Sequence, residues 1–435
     1  MVADDPSAKP EHRERLVEDH MATFSKEEEN KNKAIQLLDH HEVEFENPHP
    51  DVHVAKILIS SASWVKTTDG IVLVDTLLNP DVAQKMKEKV QEIGGGPIKH
   101  IIYTHHHRDH VGGASVFMDN NPEVIAHRFL PEDIEKYQIL KEHRARIASI
   151  QFNIPSDVDR PLRFVPPTRV FDESMTFSLG DKTFELHHAR AETDDAIWVF
   201  VPEIKAIFAG DLAVSGFPGI GNPFKPTRFS LPWVRALEAM RDKKPELLIA
   251  HGGRAVFQGS EVKELLDTAI EGVTAIHDQV VDCINKDMPL DEMIHAVRLP
   301  DHLKDHQHLQ FIYSRPEFAV YNIYRWYHGY FDHNPAHLLP RPDSEVNTEI
   351  FNLIGDADAI LGRTKELFEE GQSQLALQVL DILLKQNSDD LEARKLHLQI
   401  LEVLCEADYC LMSRNTWVYF MDRDRELLRS AGMSD

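Results

Sequence analysis

The sequence predicts an α+β fold in which an α/β-layered segment, reaching residue 255, is followed by an all-α helical C-terminal region. Three observations carry this reading. Short β-branched runs bounded by turn residues begin at Val52 and alternate with amphipathic stretches. Past residue 255 the strand pattern fades and helical periodicity takes over. A proline-rich stretch at 334–342 then divides the helical part in two.

Taken in order, residues 1–48 are dense in Glu, Lys, His and Asp and read as a polar arm with one short helix at 31–38. Residues 54–60 and 70–75 read as strands, 80–93 as an amphipathic helix stopped by three glycines and a proline, and 98–104 as the next strand, a β–α–β progression. The alternation continues through strands at 123–126, 183–188, 197–201 and 206–209, a helix at 232–241 and a strand at 246–250. Helices follow at 262–285, 290–297 and 317–327. After the proline-rich break, Ala376, Val379, Leu380, Leu383 and Leu384 make a helical stripe in a stretch of one or two helix–turn–helix units. The expected domains are 1–48, 49–255, 256–342 and 343–435.

A chain of 435 residues that is 42% hydrophobic can bury at least one large core. Its net charge of −25 disfavours nucleic acid and anionic membrane surfaces, which need clustered Lys and Arg to offset phosphate repulsion. Cys283, Cys405 and Cys410 are few, odd in number and outside any CxxC pattern, which argues for a reducing compartment over a disulfide framework. The first residues lack an apolar leader core, and no run reaches the roughly eighteen apolar residues of a membrane span. A soluble, cytoplasmic protein is expected.

Directly after the strand at 98–104 come His105, His106, His107, Arg108, Asp109 and His110, an HxHxDH pattern followed by Gly112 and Gly113. Alternate residues leaving a strand end point the same way, so His105 and His107 can grip one cation while Asp109 and His110, past the turn, face a second. A surface histidine cluster that binds nothing would not need the two glycines, which permit a tight, close-packed turn.

These residues resemble the first metal motif of the metallo-β-lactamase superfamily, whose αββα sandwich has two sheets between helices. The resemblance implies further positions. Asp75, ending the strand at 70–75, matches the acidic residue that supports the site without being a ligand. Asp211 matches the bridging carboxylate and His251 the last histidine. Glu192 stands where the superfamily usually has a histidine, which is similar to the alkylsulfatase branch. So are residues 324–342, which look like that branch's helical dimerisation segment, and 376–393, which look like its tetratricopeptide-like helices. The lipid-carrier-like domain that closes longer members is not matched. Nor is the asparagine–arginine pair that holds sulfate in that branch; the loop after Asp211 instead offers Lys225 or Arg228 as candidate substrate-binding charges.

The expected ligand sets are His105, His107 and Glu192 for one ion, Asp109, His110 and His251 for the other, and Asp211 as bridge. Asp109 and Asp211 are the candidate catalytic residues. Two ions so held lower the pKa of water by many units from about 15.7 and yield a hydroxide nucleophile for an ester-like bond. Zinc is the expected metal, with manganese or iron as alternatives given three carboxylates. His187 and His188 rival Glu192, and Asp194 and Asp195 read either as supports of a ligand or as a surface turn. Trp326, Tyr327, Tyr330 and Phe331 read as a dimer contact, pocket lining or core. The expected activity is an alkylsulfatase-like metallo-hydrolase acting as a homodimer on a small molecule with an apolar part. Lactones, thioesters and phosphodiesters are alternative substrates, and an iron oxidoreductase or a helical interaction protein with a vestigial metal domain the competing classes.

Overall fold

The computed structural model describes residues 42–153, 164–252 and 254–433; the short helix expected at 31–38 lies outside them. One sheet holds seven strands in chain order: β1 (Glu44–His49), β2 (Val52–Ile57), β3 (Ser60–Thr67), β4 (Gly70–Val74), β5 (Ile98–Ile102), β6 (Glu123–His127) and β7 (Arg169–Phe171). The first four run antiparallel, and β4 to β7 run parallel. The second sheet contains β8 (Ser174–Leu179), β9 (Lys182–His188), β10 (Ile197–Val201), β11 (Ala206–Phe208), β12 (Leu247–Ile249) and β13 (Val256–Gln258). Here β11 and β12 are parallel and the other neighbours antiparallel.

Side-chain alternation along the central strands builds the layers. Val72 and Val74 of β4 meet Ile197, Val199 and Val201 of β10 in the seam between the sheets. Ile71 and Leu73 point the other way, onto Val82, Met86 and Val90 of the helix Pro80–Ile93. Trp198 and Phe200 likewise leave the seam for Trp233, Leu237 and Met240 of the helix Ser230–Asp242 and for Val262 and Leu266 of the helix Ser260–Asn285. Strands buried on both faces must be apolar at nearly every position, which is why 70–75 and 197–201 are legible as short apolar runs. Burying each such side chain contributes about 1.5–3 kcal/mol, so the four-layer αββα arrangement is the stable solution for these patterns.

The single strand expected at 54–60 is a hairpin: β2 ends at Ile57, Leu58 takes the left-handed conformation (φ 54°), and β3 begins at Ser60. Nothing in an apolar Leu-Ile turn announces the reversal, and the serines at the start of β3 hide a buried strand. β1, expected within the polar arm, is an edge strand whose acidic residues face outward, the usual way of guarding an edge. The helices Leu130–Ile139 and Lys141–Phe152 were not expected either; the second buries only Ser149 and Gln151 and so has no apolar stripe.

The described residues divide into two compact units, one spanning Val43–Pro340 with Tyr409–Thr416 and the other holding Arg341–Asp408 and the residues from Trp417 onward. Within the second, Ala376, Leu380, Leu383 and Leu384 of the helix Ser373–Gln386 pack on Ile360 and Leu367 of the helix Ala357–Glu369 and on Leu396 and Ile400 of the helix Leu391–Ala407. Asp356 and Asp390 cap two of these helices by accepting from backbone amides of their first turns. All three cysteines are buried, and none is in a disulfide among the described residues. None of the described helices is long and apolar enough to cross a membrane.

Candidate metal centre

The parallel strands deliver the chemistry at their C-terminal ends, where α/β sheets commonly place ligands. Asp75 follows β4, His105 and His107 follow β5, and Asp109 and His110 sit on the one-turn helix Arg108–Val111. From the second sheet, Asp211 lies in the turn after β11, His251 follows β12, and Glu192 lies in the loop between β9 and β10. The turn that makes this possible does require glycine. A Cβ on Gly113 would stand 2.0 Å from the Thr76 carbonyl oxygen and 2.3 Å from the Ala83 Cβ, and one on Gly112 2.1 Å from the Leu78 carbonyl oxygen. Gly113→Ala is therefore expected to cost about 3 kcal/mol, read as a lowered urea midpoint; an unchanged midpoint would show that the turn yields.

The seven residues converge as two groups. His105 Nε2 lies 2.8 Å from His107 Nδ1, which is 3.5 Å from Glu192 Oε1, while His105 Nε2 is 3.8 Å from Asp211 Oδ2. In the other group His251 Nε2 is 3.1 Å and His110 Nε2 3.6 Å from Asp109 Oδ2. Asp211 Oδ1 faces this second group, 3.2 Å from His110 Nε2 and 3.6 Å from His251 Nδ1. One carboxylate thus gives one oxygen to each group. In each set the ligand-capable atoms lie within 4.8 Å of one another.

The residues fit a pair of cations. His110 Nε2, Glu192 Oε2 and Asp211 Oδ1 are buried without a hydrogen-bond partner, a cost of about 1–3 kcal/mol each that a shared cation would remove. Burial holds His105 and His107 well below the ordinary histidine range, leaving neutral imidazoles with lone pairs to offer. Burial also opposes charge on Asp109 and Asp211, yet the imidazoles of His110 and His251 keep both carboxyls ionised, below the usual carboxylate range. Against burial, Asp75, Asp211 and Asp109 raise His110 well above the ordinary histidine range, so the carboxylates here favour positive charge at the centre. Burial pushes Glu192 up to about 8 although Arg228 pulls the other way.

A second layer of contacts orients these groups. Asp75, itself left-handed at φ 63°, accepts from Thr104 N at 2.8 Å and Thr104 Oγ1 at 2.7 Å, and lies 2.7 Å from His110 Nδ1. That contact turns His110 Nε2 toward Asp211. Ser61 donates to the Ala250 carbonyl at 3.1 Å, which leaves its Oγ to accept from His251 Nδ1 at 3.2 Å. His106 faces away from the seven, 2.8 Å from Asp195 Oδ1, and Asp195 also accepts from Thr193 Oγ1 at 2.7 Å. Asp195 is thus a buried anchor of the loop that carries Glu192, whereas Asp194 is a surface residue paired with Arg190. His187 stacks on Trp198 and His188 on His127, so neither rival of Glu192 joins the cluster.

Arg228 is buried, and its guanidinium donates to Glu192 Oε1 and to the Gly219 carbonyl oxygen, both at 2.5 Å, so it braces a candidate ligand. Asn322 clasps its backbone from the helix Pro316–Tyr327. Lys225 stays near the centre, where burial and the charges of Arg228 and Arg144 push its ammonium down to about 8. In the aromatic run, Trp326 and Tyr327 stack on each other, Tyr327 OH meets His277 Nε2 at 2.8 Å, and Tyr330 is exposed. Thr104, Ser61 and Asn322 escaped sequence reasoning; only Thr104, ending the strand ahead of the motif, carried a readable signal.

Residues 55–252 match the metallo-beta-lactamase superfamily and residues 289–426 match alkyl sulfatase dimerisation. The chain is 25% identical over 381 residues to a linear primary-alkylsulfatase of Pseudomonas sp., covering 81% of this chain and 72% of that protein. It is 23% identical over 376 residues to an alkyl/aryl-sulfatase of Saccharomyces cerevisiae, covering 80% and 58%. The solved structure of the stereoselective inverting sec-alkylsulfatase Pisa1 from Pseudomonas sp. superimposes with a TM-score of 0.81 at 20% identity, over 88% of this chain and 65% of that one. The chain therefore spans less than two thirds of the length of the yeast protein and of the solved structure. The chain thus carries a metallo-β-lactamase domain followed by a segment matching alkyl sulfatase dimerisation, and is a homologue of the alkylsulfatases.

Proposed function

We propose that this chain is a dinuclear metal-dependent hydrolase that cleaves the sulfate ester of an apolar alcohol, releasing the alcohol and hydrogensulfate at the expense of one water. The observation that carries the proposal is the Asp211 carboxylate, divided between two groups of nitrogen and oxygen donors. His105, His107 and Glu192 would hold one cation, Asp109, His110 and His251 the other, with Asp211 shared. Four imidazoles favour zinc, and three carboxylates keep manganese and iron as alternatives. Bound cations supply Lewis acidity, which acidifies water and neutralises charge on the ester.

The chain's own residues supply the rest. Asp75 fixes the ring of His110 so that Nε2, not Nδ1, faces the centre. Arg228 holds Glu192 in place and favours its charged form against burial, and Asp109, held between His110 and His251, is poised to orient water. Lys225 brings a positive charge to the side of His107. The matched segment 289–426 supports assembly as a homodimer.

Elemental analysis of protein purified without added metal tests the proposal beside a screen of alkyl sulfates, lactones, thioesters and phosphodiesters. The expected result is about two zinc or manganese ions per chain with alkyl sulfate turned over. One iron with oxygen uptake and no hydrolysis would replace the hydrolase by an oxidoreductase. Chelation is expected to lower the melting temperature by several degrees, because about 3 kcal/mol or more of binding linkage is lost, and added zinc should restore it. Glu192→Ala should lose the ion held by His105 and His107; retention of both ions at unchanged affinity would rule out that ligand set.

A further inference from the structure

We propose that His106, Asp133 and Asp195 form a further cation site, separate from the seven-residue centre, that takes a single divalent ion of the zinc class. The inference goes beyond the hydrolase reading and does not depend on it: the ion would fasten the elements that carry the centre and take no part in the reaction.

The three side chains come from three elements. His106 follows β5, Asp133 lies on the helix Leu130–Ile139, and Asp195 lies in the loop between β9 and β10. All three are buried, Asp133 at 6% exposure and Asp195 at 0%. Each presents one ligand-capable atom, and those atoms lie within 4.8 Å of one another. His106 Nδ1 is 2.8 Å from Asp195 Oδ1 and 3.6 Å from Asp133 Oδ2. Donors about 2.0–2.2 Å from a tetrahedral zinc ion stand about 3.3–3.6 Å from one another, so the cluster already has nearly the spacing of a coordination shell.

Both carboxylates are only half used, which sets the cluster apart from a closed hydrogen-bond network. Asp195 Oδ1 accepts from Thr193 Oγ1 at 2.7 Å, whereas Asp195 Oδ2 is buried without a hydrogen-bond partner. Asp133 Oδ1 accepts from Lys136 Nζ at 3.3 Å, whereas Asp133 Oδ2 is likewise buried and without one. Leaving carboxylate oxygens unpaired away from water is costly, and one ion shared between the two removes both costs. Burial raises the Asp133 carboxyl above its ordinary range, against the pull of His106 and with the push of the Asp195 charge, so the place is short of positive charge. One divalent ion balances two carboxylates, and the His106 imidazole adds the nitrogen that favours zinc over magnesium or calcium. The Tyr137 ring packs at 70° on His106 with centroids 4.6 Å apart and walls one side of the site.

The placement of the three residues says what such an ion would do. His106 stands between His105 and His107, and Asp195 stands three positions after Glu192. An ion held by His106 and Asp195 would tie together the two segments that carry His105, His107 and Glu192, and Asp133 would anchor both to the helix Leu130–Ile139. With fewer donors than either set of the centre once Asp211 is counted in both, the site fills after the centre, when zinc is supplied.

Zinc alone is the probe. The wild-type protein, Asp133→Asn and Asp195→Asn are dialysed against the same excess of free zinc, and their zinc content is measured by elemental mass spectrometry. Crystals of the same samples are examined for anomalous scattering above and below the zinc absorption edge, which locates each ion. The wild type is expected to hold one zinc ion more than Asp133→Asn, with an anomalous peak between His106, Asp133 and Asp195 that both variants lack. Peaks among the seven residues of the centre should persist in Asp133→Asn, since that substitution alters none of their donor atoms. In urea, raising zinc past saturation of the centre should stabilise the wild type further and leave Asp133→Asn where it was. Should a variant not fold, the wild-type map decides alone. No peak at the three residues under excess zinc overturns the site, as does equal zinc content in the wild type and Asp133→Asn. Because the map places every ion, a peak here beside a vacant centre supports this site and tells against the dinuclear hydrolase. Two peaks at the centre and none here sinks this inference and leaves the hydrolase standing.

Discussion

Asp211→Asn is expected to give a folded protein whose kcat is lower by about 10³-fold or more, equivalent to about 4 kcal/mol of transition-state stabilisation. The reason is the division of labour between its oxygens. Oδ2 faces His105 and Oδ1 faces His110 and His251, so an amide would keep one oxygen and set an N–H₂ donor against the other group. The variant also removes the one negative charge common to both sets. The backbone of the Gly210–Leu212 turn does not use the carboxylate, so circular dichroism should be unchanged. Full activity in Asp211→Asn would exclude the two-cation reading.

Arg228→Met is expected to destabilise the protein by about 3–5 kcal/mol, because removing one member of a buried pair leaves the other without its compensating partner. Glu192 Oε2 already lacks a partner, and the substitution would strip Oε1 and the Gly219 carbonyl as well. The loss should appear in urea unfolding and in metal affinity weakened by about 10- to 100-fold. The double variant Arg228→Met/Glu192→Gln should recover part of the stability, since the stranded charge is gone. Arg228→Met with normal stability and metal content but a raised KM would instead return Arg228 to the substrate-binding role that its place in the loop suggests.

What the sequence makes legible follows from how local each signal is. His105, His107, Asp109 and His110 lie within six residues, and their meaning rests on strand alternation alone. Asp75, Asp211 and His251 each end an apolar run, because strands buried on both faces stand out against their turns. Glu192 needed the family resemblance, since its loop has no periodic pattern. The contact that braces the site is long-range and silent: Arg228 reaches Glu192 across the loop after Asp211. The same physics hid β3, whose Ser60, Ser61 and Ser63 are buried, two of them accounted for by hydrogen bonds to Asp109 and Ala250 carbonyls.

The centre draws its donors from both sheets: His105, His107, Asp109 and His110 hang from the first, and Glu192, Asp211 and His251 from the second. Cations held there would fasten the two halves of the sandwich at one rim, closing a loop of roughly 150 residues between His105 and His251. By the loop-closure entropy that governs a disulfide of that span, such a fastening restrains the unfolded chain by about 5 kcal/mol. The same atoms that act on the ester would then serve as a removable staple, and a chelated chain would have only the apolar seam of Val72, Val74, Val199 and Val201 to keep its sheets in register.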